Sequence, residues 1–201
     1  MAKAKKRAKT TGKRARAKSA SGRQDAIALL KADHRRVEGW FEQFESSRSD
    51  DKKQMLARNI CQALKVHTTI EHEIFYPAFL EATEETDIHH EAEVEHDGAK
   101  KLIAEIEASG PDDEYYDAKV TVLSEMIKHH VNEEEKRDGM FAKARQADMD
   151  LKGLGEQLAA RKAELIDSAE DDESAPKMRR GRETSQNSGM TSRLTHRMRG
   201  R

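Results

Sequence analysis

The chain has 201 residues, 37% of them charged, with 37 Lys or Arg against 38 Asp or Glu, a length that fits one domain with tails. The near-neutral total conceals an asymmetry. Residues 1–23 carry ten basic side chains and no acid, residues 168–201 carry eight basic and five acidic, and residues 24–167 hold 19 basic and 33 acidic, a net of −14. No apolar run approaches the ~20 residues of a membrane span, and the basic start lacks the apolar stretch of a secretory signal. The one cysteine, Cys61, excludes an internal disulfide and fits a reducing compartment; a soluble, cytoplasmic protein is expected.

In chain order, "MAKAKKRAKTTGKRARAKSASGR" (1–23) is a Lys/Arg/Ala run that buries no core and is expected to be a disordered basic tail. Apolar residues then recur at helical spacing. A first helix is predicted over 24–46 on Ile27, Leu30, Val37, Phe41 and Phe44. "SSRSDD" (46–51) breaks it and caps a second over 51–82, on Leu56, Ile60, Ala63, Ile70 and Ile74, in which Pro77 kinks or ends the regular part. A third helix is predicted near 87–108 on Ala92, Ala99, Ile103 and Ile106. "SGPDD" (109–113) marks a boundary, and a fourth covers 112–145 on Val120, Leu123, Ile127 and Phe141. The expected fold is all-α, an up-down-up-down four-helix bundle over 24–145. A short C-terminal helix follows within 146–167, packed outside the bundle, and then a disordered tail over 168–201.

The apolar faces are interrupted by polar residues at seam positions. His34 falls between Leu30 and Val37, His67 between Ala63 and Ile70 with Glu71 one turn on, His96 between Ala92 and Ala99, and His130 after Ile127 with Glu134 one turn on. His-x-x-x-Glu is a weak signal in so Glu-rich a chain; the position on the face selects among the matches. Side chains at i and i+4 stack on one face, about 6 Å apart along the axis, within reach of one ion or of adjacent ions. Imidazole nitrogen with carboxylate oxygen suits iron, manganese or zinc, and cations neutralise glutamates that are costly to bury alone. A hydrogen-bonded core histidine is the plainer reading of any one position; four seams each bearing an imidazole favour a metal site.

The segments "DHRRVEGWFEQF" (33–44), "HTTIEHEIFYPA" (67–78), "EHDGAKKLIAEI" (95–106) and "HHVNEEEKRDGMFAKAR" (129–145) resemble, in order, the hemerythrin-like HHE cation-binding family. The resemblance implies a four-helix bundle around a non-haem pair of iron ions. Carried over residue by residue, the ligands are His34, His67, Glu71, His96, His130 and Glu134, with the carboxylates able to bridge. Oxygen-carrying relatives have a fifth histidine where this chain has Ala92, which leaves room for solvent, an exogenous ligand or a carboxylate such as Glu93. Phe-Pro after the last motif is replaced by a longer stretch without Pro, which bears on where the fourth helix ends. His72 is expected to turn away from the site, His89 to lie too far along the axis, and His129 with Glu133 to compete with His130 and Glu134. Of "EEE" (133–135), Glu134 is read as the ligand and the other two as solvated charges. His90 and His196 carry no signal.

The expected function is binding of two irons (or manganese or zinc) by a protein that handles O2, NO, peroxide or iron. Catalase-like or oxidase-like activity is one form of this, and a metal-responsive sensor or interaction module is the alternative. The basic tail 1–23 reads equally as a nucleic-acid contact through phosphate neutralisation and as a segment that docks on the acidic body.

Overall fold

The computed structural model of the chain describes residues 24–174, with side chains through 169. The basic segment 1–23, with the nucleic-acid contact expected of it, and the tail from 175 onward, with His196, lie outside the described residues.

Helix α1 (Ala26–Ser46) starts where the Asp25 carboxylate accepts the Ala28 N–H at 2.7 Å, satisfying a donor that the helix leaves free. Helix α2 (Asp50–Ile70) starts where the Ser49 hydroxyl accepts the Lys52 N–H, with Asp50 and Asp51 in its first turn beside the positive helix end. The second helix does not continue as one regular α-helix to residue 82. It passes through a π-helical turn (Glu71–Phe75), closed by the Tyr76 N–H on the Glu71 carbonyl, and resumes as α3 (Tyr76–Thr83). Pro77 explains the break: it has no N–H for the Glu73 carbonyl, and its ring would press on that turn of a regular helix.

Helix α4 (Thr86–Ala108) follows, then α5 (Tyr116–Glu135), α6 (Met140–Gln146) and α7 (Leu151–Ser174). Two expectations need correction here. The fourth helix starts at 116 rather than 112, because Asp113 accepts the N–H groups of Tyr115 and Tyr116 in a turn. It also stops at Glu135 rather than running to 145. The chain reverses through Lys136–Gly139, and a Cβ on Gly139 would lie 2.2 Å from the Glu133 carbonyl oxygen, so only glycine fits that approach.

The C-terminal helix is longer than the 146–167 expected, and it is docked. It lies against α1, α2 and the π turn. A Cβ on Gly155 would sit 2.5 Å from the Gln24 carbonyl oxygen, Leu158 is fully buried, and Arg161 grips the Glu73 carboxylate with two hydrogen bonds at 2.6 and 3.1 Å.

Helices α1, α2 with α3, α4 and α5 form the up-down-up-down bundle. Its interior holds two apolar clusters. One is built on Phe41, Ile60, Ile103 and Leu123, the other on Leu30, Phe75, Phe79 and Phe141. Each fully buried side chain of this size contributes about 1.5–3 kcal/mol. Between the clusters lies a layer of buried histidines and carboxylates, which such a core tolerates only if something satisfies them.

Candidate metal centre

All six seam residues meet in this layer, one His from each of α1, α2, α4 and α5, with Glu71 from the π turn and Glu134 from α5. None exceeds 5% exposure, and Glu71 has none. His34 and His67 bring their Nε2 atoms to 3.1 Å of each other, and His96 and His130 do the same. Glu71 lies between the pairs, with Oε1 3.2 Å from His67 Nε2 and Oε2 3.5 Å from His96 Nε2. Glu134 faces both pairs as well, with Oε2 3.4 Å from His34 Nε2 and Oε1 3.7 Å from His130 Nε2. The donor atoms of His34, His67, Glu71 and Glu134 all lie within 4.8 Å of one another, as do those of Glu71, His96 and His130. Two groups of ligands therefore share Glu71.

Hydrogen bonds on the outer side of the rings fix which nitrogen faces inward. The Nδ1–H of His34 donates to Glu135 at 2.8 Å and that of His130 to Glu95 at 2.7 Å. His72 donates through Nδ1 to Glu93 at 2.8 Å, so its Nε2 accepts from His96 Nδ1 at 3.1 Å. Each of these three imidazoles presents a bare Nε2 lone pair to the centre, the form that binds a metal. Both oxygens of Glu71 and Oε2 of Glu134 are buried without a hydrogen-bond partner. Lone pairs converging on one another and unpaired buried carboxylate oxygens are poor protein packing and a good donor set for cations. The residues fit a metal pair.

The electrostatics agree. Burial alone would push His67 down, but the Glu71 and Asp33 carboxylates lift it to about 10. Burial pushes Glu71 up, and the His67 imidazolium beside it pulls it down to about 2. For Glu134, burial and then the Glu71 charge work together and raise it to about 8. Burial pushes His96 down to about 3. Without cations the layer holds itself together with protons.

Three expectations are corrected. His72 does not turn away: the wide turn at 71–75 rotates successive residues by less than a regular helix does, and His72 meets His96. Glu135 is not a solvated charge but the partner of His34. It is held down at about 2, against the cost of its burial, by His34, Lys31 and Arg35. Glu93 reaches His72 and His89 at 2.8 and 3.4 Å rather than the centre. His129 is exposed and pairs with Glu95 at 3.2 Å, while His130 and Glu134 take the inward positions. Tyr76, which the sequence did not single out, is 1% exposed and donates its hydroxyl proton to Glu134 Oε1 at 3.4 Å; burial and the nearby carboxylates raise its hydroxyl well above its ordinary range.

Ala92 is buried where oxygen-carrying relatives have a histidine. Beside it opens a cavity of about 200 Å³ that reaches the two buried ligands His130 and Glu134 and is rimmed by Glu91, Glu95 and Lys143. A second cluster of acidic groups and one imidazole, Glu91, Glu95 and His129, lies near its mouth. No helix among the described residues is long and apolar enough to cross a membrane.

The sequence model described as Hemerythrin HHE cation binding domain matches residues 25–144. Among solved structures, a hemerythrin HHE cation binding domain-containing protein from Mycobacterium kansasii superimposes with a TM-score of 0.62 at 24% identity, covering 74% of this chain and 91% of that one. That likeness bears on the fold. No curated protein matches the chain.

Proposed function

The chain belongs to the hemerythrin HHE cation-binding family, and from that membership we propose that it holds two iron ions, one among His34, His67, Glu71 and Glu134 and one among Glu71, His96 and His130. The observation that carries this reading is Glu71, fully buried, with each oxygen aimed at a different histidine pair and neither oxygen hydrogen-bonded. A pair of irons supplies one-electron redox steps and Lewis acidity toward a small oxygen- or nitrogen-containing ligand. We infer further that the ligand is O2, NO or peroxide and that peroxide breakdown is the activity.

The chain's own residues support that choice. The group of Glu71, His96 and His130 is the poorer in donors, Ala92 leaves space beside it, and the cavity there gives a small molecule a path past His130 and Glu134. Tyr76 stays protonated and keeps an O–H next to Glu134, so a hydrogen-bond donor stands at the edge of the centre. Phe75 and Phe141, both buried, exclude bulk water on the other flank.

The test is metal content and the near-UV and visible spectrum of protein loaded anaerobically with Fe(II), then exposed to air and to peroxide, beside His67→Ala and Glu71→Ala. About two irons per chain, with charge-transfer absorption lost in both variants and peroxide consumed only by the loaded native protein, are expected. Loaded protein that leaves peroxide untouched removes the activity and keeps the binding. No stoichiometric metal, with both variants folded, removes the reading altogether.

A further inference from the structure

The family match ends at residue 144, and α7, which begins at Leu151, adds one side chain to the surroundings of the centre. Lys162 donates a hydrogen bond to Asp33 Oδ1, and Arg36 Nη1 lies 3.4 Å from the same oxygen. The side chains of Lys162 and Asp33 are 17% and 8% exposed, so water screens their attraction little. The other oxygen, Asp33 Oδ2, faces His67 Nδ1 at 3.7 Å, beyond hydrogen-bond range. Both of these facing atoms are buried without a partner.

His67 is the exception among the four imidazoles. The outer nitrogens of His34, His96 and His130 are hydrogen-bonded at 2.8, 3.1 and 2.7 Å. Only His67 has a carboxylate in front of it that is tied from behind by a cation of the added helix. The hold is firm: Gly155, Leu158 and Lys162 share one face of α7 at three- and four-residue spacing, the first touching the start of α1 and the second buried in the core.

We propose that α7 is a tuning element for the ion at His34 and His67: Lys162 keeps Asp33 just out of hydrogen-bond reach of the His67 Nδ1–H, so that a ligating His67 lacks the carboxylate bond that would strengthen it as a donor. This rests on the two-ion reading above. A carboxylate accepting the Nδ1–H makes an imidazole a stronger electron donor and favours the more oxidised ion; the Lys162 charge opposes that directly and by holding Asp33. Lys162 is a positioning residue, acting through Asp33. Glu95, the corresponding carboxylate behind His130, has no Lys or Arg partner among the described residues, so the two ions are made unequal by their surroundings.

The experiment uses the full chain as native protein, K162M, K162R and D33N, each loaded with iron and assayed first for metal content. Midpoint potentials are then read by spectroelectrochemistry, with the charge-transfer bands as a second signature. K162M is expected to retain two irons and to shift to lower potential by about tenfold in the ferric-to-ferrous affinity ratio, ~59 mV for a one-electron couple. D33N, which leaves Lys162 uncompensated, shifts upward, and K162R stays with the native protein. A loaded, folded K162M with native potential and bands overturns the proposal. If K162M does not fold, D33N decides: an upward shift supports the clamp, and an unchanged potential overturns it. Native protein that binds no stoichiometric metal overturns the two-ion reading itself, an outcome distinct from loaded protein whose potential ignores Lys162.

Discussion

Loading the centre with divalent cations expels protons, and their number follows from the buried groups. In the metal-free protein His67, at about 10, holds a whole proton at pH 7, and Glu134, at about 8, holds roughly nine-tenths of one. Burial would push His130 down, but the Glu134 and Glu95 carboxylates outweigh it and raise it. Glu71, at about 2, and His96, at about 3, have none to lose. Ligation needs bare imidazole and ionised carboxylate, so loading both positions at pH 7 releases about two protons per chain. Because the groups that must give up protons sit above neutrality, raising the pH lowers the cost, and affinity climbs with pH. The climb is roughly 100-fold per pH unit below about 8 and roughly tenfold per unit from there to about 10. By the same linkage the metal-free fold loses stability from about pH 6.5 to about 8, where folded Glu134 and His67 both hold protons that the unfolded chain has lost; below 6.5 His96, lowered to about 3, opposes Glu134. Calorimetric titration with Zn(II), which has no redox chemistry, in buffers of different ionisation enthalpy at one pH reads the proton count directly. Release of less than about half a proton, or an affinity flat from about pH 6 to 8, would refute the reasoning, because the layer would then be held together without the protons assigned to it.

The remaining expectations are narrower. His72→Ala removes the acceptor behind His96 and weakens the second ion by about 10- to 100-fold, while His129→Ala, at an exposed side chain, changes nothing; equal metal dissociation rates in the two variants would contradict the assigned relay. Gly155→Leu forces a side chain into the backbone at Gln24 and Ala26 and lowers stability by about 1–3 kcal/mol, seen in chemical denaturation. A curve superimposable on the native one would mean that α7 is not seated as described. Burial pushes the Cys61 thiol up to about 12, so a thiol reagent labels it only as fast as the chain opens; rapid labelling in native buffer would show that this part of the core is loose.

The seam histidines were legible because a helix repeats every 3.6 residues, and a polar residue on an apolar stripe stands out whatever the fold. All six inward residues followed from that rule alone. What escaped has a common cause, the loss of the regular repeat. His72 was assigned outward by counting 100° per residue through a stretch where the helix widens; Pro77, five residues on, was the available warning. Glu135 looked like surplus charge because its partner, His34, lies 101 positions away, a distance that one sequence does not bridge. The end of α5 was misjudged because "KRDGMFAKAR" keeps an apolar rhythm across a turn that Gly139 alone makes feasible. Lys162 and Asp33, 129 positions apart, were beyond reach for the same reason as Glu135. The glycine at 155, unusual inside a helix, is the sequence trace of α7 lying close against the backbone at Gln24–Ala26.

The widened turn at Glu71–Phe75 also constrains how this chain can vary in length. Such a turn is equivalent to one residue spliced into an α-helix without unwinding it. Before the splice, His67 and Glu71 point at the centre; after it, Phe75, Tyr76 and Phe79 point at the core beyond. Remove one residue from the stretch and the helix closes into a regular spiral with both flanks still nearly in phase, because the five residues of the wide turn cover about the same rotation as four of a regular helix. The histidine before the turn and the aromatic rings after it then keep their faces, and only the residues within the turn change places. A single-codon deletion in the regular helix on either side, by contrast, turns everything beyond it by about 100°. Libraries that scan single deletions along residues 60–83 would find the phase kept by deletions at 72–75 and broken by deletions in the regular helix on either side.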